Sequence, residues 1–160
     1  MRVFLGGTCN GSLWRNELIP MLEAQGIDYF NPVVDDWNEE AQQRKIQERE
    51  ECDICLYCIT PKMPGGYSIA EVVDDSNKRP EKTVFVVLDW VYDDHASLIP
   101  PDGGSGIVEF DEGQKRSLEQ VGRMVGGNGG KYCDSLLSAS EYIGRIADAS
   151  ICASCGGVVI

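Results

Sequence analysis

The chain has 160 residues, 42% of them apolar and 25% charged, and its 26 acidic against 14 basic side chains give a formal charge of −12. That length forms one domain and buries roughly two-thirds of its unfolded surface, so folding requires no disulfide or metal staple. The negative balance repels phosphate backbones and anionic lipid, which excludes nucleic-acid polymers and membranes as expected partners but leaves room for a small nucleoside or nucleotide in a local pocket.

Residues 2–5 read as a first strand stopping in the glycine turn Gly6-Gly7-Thr8. A helix follows, with Ser12 as its N-cap, Leu13, Leu18 and Leu22 on one face, and Gly26 in the C′ position. Residues 27–30 form a short second strand that ends at Asn31-Pro32. Residues 33–38 are loop, and the highly charged stretch 39–51 is a surface helix. Residues 53–59 are apolar at nearly every position, as in a strand covered on both faces. Residues 60–67, with two prolines and two glycines, are loop; the next helix covers 68–77, with Ser68 and Glu71 at capping-box spacing. A fourth strand spans 83–88, and 89–111 make a long acidic connection that borders the site. A helix over 114–125, a short fifth strand over 131–135 and a last helix over 138–147 complete the pattern. Residues 1–150 are one domain, and 151–160 are a tail without assignment. Strand and helix alternating every 25–30 residues predicts a doubly wound α/β fold of the flavodoxin type, about five parallel strands with helices on both faces.

The 7 cysteines are odd in number, and residues 1–10 lack the basic start and apolar stretch of a secretory signal, so free thiols in a reducing cytoplasm are expected. Strand alternation turns Cys52 and Cys58 away from Cys55, which argues for small buried hydrophobes rather than a metal site. Cys152 and Cys155 have the spacing of half a zinc site but no evident further ligands.

Ligands of open parallel sheets bind beyond the carboxyl ends of the strands. The first such segment, Gly6, Gly7, Thr8 and Ser12 leading to Trp14, offers close backbone approach and a helix amino end, but neither the dinucleotide fingerprint nor the P-loop lysine motif is present. Glu71 has two readings: half of a capping box, or a nucleophile or general base in a partly apolar pocket beneath the loop holding Gly65, Gly66 and Tyr67. His95, the sole histidine, sits in an acidic loop beside Asp93 and Asp94. Trp14, Trp37 and Trp90 adjoin candidate loops, where an indole stacks on a base or packs at a rim.

The segment from Arg2 to Asp89 resembles the nucleoside 2-deoxyribosyltransferase-like family. The resemblance rests on the Gly6-Gly7-Thr8 loop leading to Trp14-Arg15, on the stretch from Phe30 to Trp37, and on Cys52 to Pro61 followed by Gly65 to Glu71. Asp53 and Glu71 stand 18 residues apart, the spacing of that family's strand-opening Asp and its nucleophilic Glu. The resemblance implies cleavage of the N-glycosidic bond of a 2′-deoxynucleoside or its 5′-monophosphate through a covalent deoxyribosyl intermediate on Glu71, with transfer to another base or to water. It implies that Asp53 supports the site, that Asn31, Asp36 and Trp37 hold base or sugar, that no cofactor takes part, and that the protein is a homo-oligomer. Lys45 and Gly65 stand where the better-known transferases carry acids. This makes a catalytically idle nucleotide-binding protein one alternative; an NAD-type N-glycosidic hydrolase is another.

Overall fold

The computed structural model describes residues 1–9, 11–92 and 106–154, the side chains of 151–154 excepted. The elements in chain order are β1 (Arg2–Gly7), α1 (Trp14–Glu23), β2 (Asp28–Phe30), α2 (Glu39–Glu51), β3 (Ile54–Ile59), α3 (Tyr67–Lys78), β4 (Thr83–Val87), β5 (Trp90–Tyr92), β6 (Ile107–Glu109), α4 (Glu112–Gly127), β7 (Lys131–Cys133) and α5 (Leu136–Ser154). Five strands form one parallel sheet in the order β2-β1-β3-β4-β7, with β1 at the point where the winding direction reverses. The doubly wound α/β fold is therefore as the sequence predicts.

The central strands carry the apolar runs. Every residue of β3 and β4 is buried, because helices cover both faces. Leu5, Leu56, Cys58 and Val86 meet Leu18 and Leu22 of α1 and Ile143 of α5 on one face. Phe4, Tyr57, Ile59 and Phe85 meet Val72 of α3 and Leu118 and Val125 of α4 on the other. α1 ends as its glycine indicates. Gly26 adopts φ +67°, its N–H donates to Glu23 O, and the Ile27 N–H donates to Leu22 O, the paired bonds of a Schellman close.

α2 differs from the other helices. Its sequence is almost wholly polar and Glu48 is its one buried residue. Arg2 Nη1 of β1 reaches Glu48 at 2.7 Å, and toward α3 Lys45 pairs with Glu71 and Arg49 with Asp75.

Several expectations need correction. Cys52 does not share a face with Cys58. It closes α2 instead of opening β3, and it packs with Cys55 on the α3/α4 side, while Cys58 faces α1 and α5. Alternation applies only within the strand, and Cys52 precedes it. The connection 89–111 contains an antiparallel ribbon in which Trp90 pairs with Glu109 and Tyr92 with Ile107. α5 continues to Ser154, into the stretch left unassigned by the sequence. His95, Asp93, Asp94 and Cys155, with the side chain of Cys152, lie outside the described residues. No helix among the described residues is long and apolar enough to cross a membrane.

Candidate active site

The floor of the site is the junction of β1 and β3 at the carboxyl edge of the sheet. Both glycines of the first loop are closely packed. A Cβ on Gly6 would lie 2.6 Å from the Tyr57 ring, and one on Gly7, whose φ is +112°, would lie 2.0 Å from the Cys58 carbonyl oxygen. Sequence reasoning assigned them to ligand approach; their lack of a side chain also lets β1 lie close against β3. Thr8 is buried and its hydroxyl accepts from the Thr60 N–H at 3.0 Å, while Ser12 Oγ lies 3.1 Å from Thr60 Oγ1. Ser12 therefore ties two loops together, and α1 is capped by Leu13 without a side-chain bond.

Trp14 and Arg15 lock this loop from below. Arg15 is buried, and its guanidinium donates to the carbonyls of Leu5 at 2.8 and 3.2 Å and of Thr8 at 2.8 Å. Burial lowers its pKa, against the neighbouring Cys9 and Cys58. The Arg15 guanidinium lies 4.2 Å from the centre of the Trp14 ring, and the Trp14 indole N–H donates to Thr8 O. Trp14 thus stacks on an arginine of its own chain.

Glu71 lies in the second turn of α3, because the helix begins at Tyr67 with Gly66 as its cap. Ser68 falls inside the helix, so the predicted capping box does not form and the Glu71 side chain turns outward toward α2. There Lys45 Nζ lies 2.9 Å from Oε1 and 3.1 Å from Oε2, and Arg49 Nη1 stands 3.9 Å from Oε1. Glu71 is only 5% exposed, and among the described residues every partner of its carboxylate is a side-chain cation.

Arg49 is fixed by a wider network. It donates to both oxygens of the fully buried Asp75, to the Tyr57 hydroxyl at 2.8 Å and to the Glu71 carbonyl at 3.0 Å. Asp75 also receives Arg79 at 2.8 Å and a short hydrogen bond from the Tyr57 hydroxyl. Burial alone would lower the Arg49 pKa, but the bonds and charge of Asp75 and Tyr57 raise it. This network is absent from the sequence reading. The helical spacing of Glu71 and Asp75, together with Lys45 and Arg49 four residues apart on α2, was its only available signal.

Asp53 is placed elsewhere. Its carboxylate accepts the Arg2 N–H at 2.7 Å, at the amino edge of the sheet. The 18-residue spacing is real, but it does not bring the two carboxylates together. Asn31 closes its own turn by accepting the Val33 N–H, and Asp36 and Trp37 are exposed on the loop between β2 and α2. Gly65 and Gly66 face open space, and Tyr67 is exposed with its ring 5.1 Å from Lys45 Nζ.

Residues 1–89, which carry this whole arrangement, match the family model described as nucleoside 2-deoxyribosyltransferase like. The chain belongs to that family. No curated protein matches it. The matched segment includes β1 through β4 and therefore every predicted site residue; α4, β7 and α5 lie beyond it.

A second feature of this nucleoside 2-deoxyribosyltransferase-like domain is a cleft of about 780 Å³ at the carboxyl ends of β4 and β7. Ser12, Trp14, Asp89, Trp90 and Tyr92 line it, and Glu71 does not. Hydrogen bonds from Ser138 and Ser135 hold the Asp134 carboxyl at its rim below the usual range. Among the described residues no group of three or more His, Cys, Asp or Glu is arranged to hold a metal ion.

The buried thiols beneath the site predict a pH dependence. Burial pushes Cys52 from 9.0 up to about 11 and Cys55 up to about 12, and it raises Cys58 and Tyr57 as well. A group whose pKa is raised by folding contributes its full stability below the unfolded value and loses it as pH rises through the folded value. The urea midpoint is therefore expected to hold up to about pH 9 and then to fall between 9 and about 12. A midpoint unchanged at pH 11 would contradict this burial of the thiols.

Proposed function

We propose that the protein cleaves the N-glycosidic bond of a 2′-deoxynucleoside or its 5′-monophosphate, with Glu71 as the attacking group. One observation carries the reading beyond family membership: Glu71 is freed from helix capping and buried, and among the described residues its carboxylate is held by side-chain cations and by no backbone donor. A carboxylate in that state can attack the anomeric carbon of an oxocarbenium-like transition state. The C1′–N bond breaks, its electron pair leaves with the base, and the base takes a proton from water. Water or a second base then displaces the sugar from Glu71 and restores the carboxylate. Lys45 does not supply the proton to the base, because it sits on the nucleophile, and in-line attack places the leaving group on the opposite face of C1′. Asp53 acts on the fold, and Asn31, Asp36, Trp37 and Tyr67 provide the surroundings of base and sugar. Exposed Val33, Val34, Trp37 and Ile46, on or next to α2, support a homo-oligomer.

The test is incubation with the deoxynucleosides and their 5′-monophosphates, with and without acceptor bases, followed by chromatography for free or exchanged base. Release of base at a rate above that of a Glu71→Gln sample is expected. Folded protein that turns over none of these compounds would remove the reading. A second reading, a catalytically idle nucleotide-binding protein, is favoured by the closed Lys45–Glu71 pair and by the separate cleft at Trp90 and Tyr92. It predicts a nucleotide that raises the melting temperature and is recovered intact.

A further inference from the structure

We propose that Lys45 selects the substrate: it closes over Glu71 in the free protein and is drawn away by an anionic group on the ligand, so that 5′-phosphorylated deoxynucleosides are preferred to unphosphorylated ones. The proposal rests on the glycosidic reading and names the substrate class for that same carboxylate.

The argument begins with access. Glu71 is 5% exposed, and Lys45 covers both of its oxygens, so a sugar carbon gains room to approach the carboxylate on that side when the lysine moves. Of the two cations, Arg49 is pinned by Asp75, Tyr57 and the Glu71 carbonyl. Among the described residues the Lys45 ammonium has two contacts only, Glu71 and the face of Tyr67 at 5.1 Å. Tyr67 is 72% exposed, and it follows the two glycines whose Cβ positions face open space. Lys45 is thus the movable partner: a flexible stem, with a second seat over an aromatic ring already in place.

A ligand without charge offers the ammonium nothing in exchange for the carboxylate. A phosphate offers a charge-assisted acceptor. It would take Lys45, leave Glu71 to Arg49 alone, and free one carboxylate oxygen for attack at C1′. The lysine proton stays on Lys45 throughout, and no bond to nitrogen forms. Lys45 is a positioning residue, since it acts on the reaction through Glu71.

The experiment measures base release from deoxyadenosine and from its 5′-monophosphate by the native protein, Lys45→Met and Lys45→Arg, each checked for folding by circular dichroism. The native protein is expected to prefer the monophosphate in kcat/KM by about 10- to 100-fold, the value of one hydrogen bond to a charged group. Lys45→Met should erase that preference, with kcat/KM for the monophosphate falling and kcat/KM for the nucleoside rising toward a common value. Lys45→Arg should restore much of the preference. A native preference for the nucleoside, or a phosphate preference that survives in Lys45→Met, overturns the inference.

Calorimetric binding of the same two compounds to Glu71→Gln, and to Glu71→Gln combined with Lys45→Met, separates this inference from the glycosidic reading. A Lys45-dependent preference for the monophosphate without any turnover would retain the selection role and discard the chemistry. Equal binding of both compounds to both proteins would discard the selection role.

Discussion

Replacing Glu71 with glutamine is expected to abolish base release while leaving the domain folded. The amide has the shape of the carboxylate and still accepts a bond from Lys45, so the contact between α2 and α3 survives. What disappears is the charge that attacks carbon. Loss of a covalent nucleophile costs about 10⁴-fold or more in rate, the scale seen when one member of a catalytic unit is removed. A companion variant, Glu71→Ala, opens space beside two cations. A small anion such as azide should enter there and restore part of the turnover, with the azide appended to the sugar. Retained activity in Glu71→Gln, in a protein with a native melting curve, would take Glu71 out of the mechanism.

The largest stability effect is expected at Arg49. Arg49→Ala removes a guanidinium that serves the fully buried Asp75, the Tyr57 hydroxyl and the Glu71 carbonyl together. Breaking a buried pair from one side costs about 3–5 kcal/mol, because the surviving charge stays desolvated. For a domain of this size that lowers Tm by roughly 6–20 °C. Arg79, 2.8 Å from Asp75, places the expected loss toward the lower end of that range. Arg49→Lys keeps the charge but not the planar fork, and should recover only part of the loss. A Tm within two or three degrees of native in Arg49→Ala, about 1 kcal/mol at most, would mean that the network contributes little to holding the fold.

The architecture was legible because its signals are local. The apolar runs of β3 and β4, the glycine closing α1 and the regular alternation of elements are each readable within ten or fifteen residues. The site was legible only in part. Glu71 stood out, yet a two-residue shift in the cap of α3, from Ser68 to Gly66, decided between capping and pairing, and helix boundaries are not fixed that closely by sequence. Gly6 and Gly7 were found, but their reason was not: the Tyr57 ring and the Cys58 carbonyl they accommodate are some fifty residues away along the chain. Asp53 illustrates the same limit from the other side. Its spacing from Glu71 suggested partnership, while the strand between them carries it to the opposite edge of the sheet. Lys45, Arg49 and Asp75 form a unit only once α2 and α3 lie side by side, and no periodicity in a charged helix announces its partner.

One consequence concerns α2. The other helices are held to the sheet by apolar surfaces. α2 is fastened by ionisable side chains, Glu48 to Arg2, Lys45 to Glu71 and Arg49 to Asp75. The wall of the proposed site is therefore fastened by matched charges, so its fit depends on three particular pairings where the rest of the molecule depends on the filling of space.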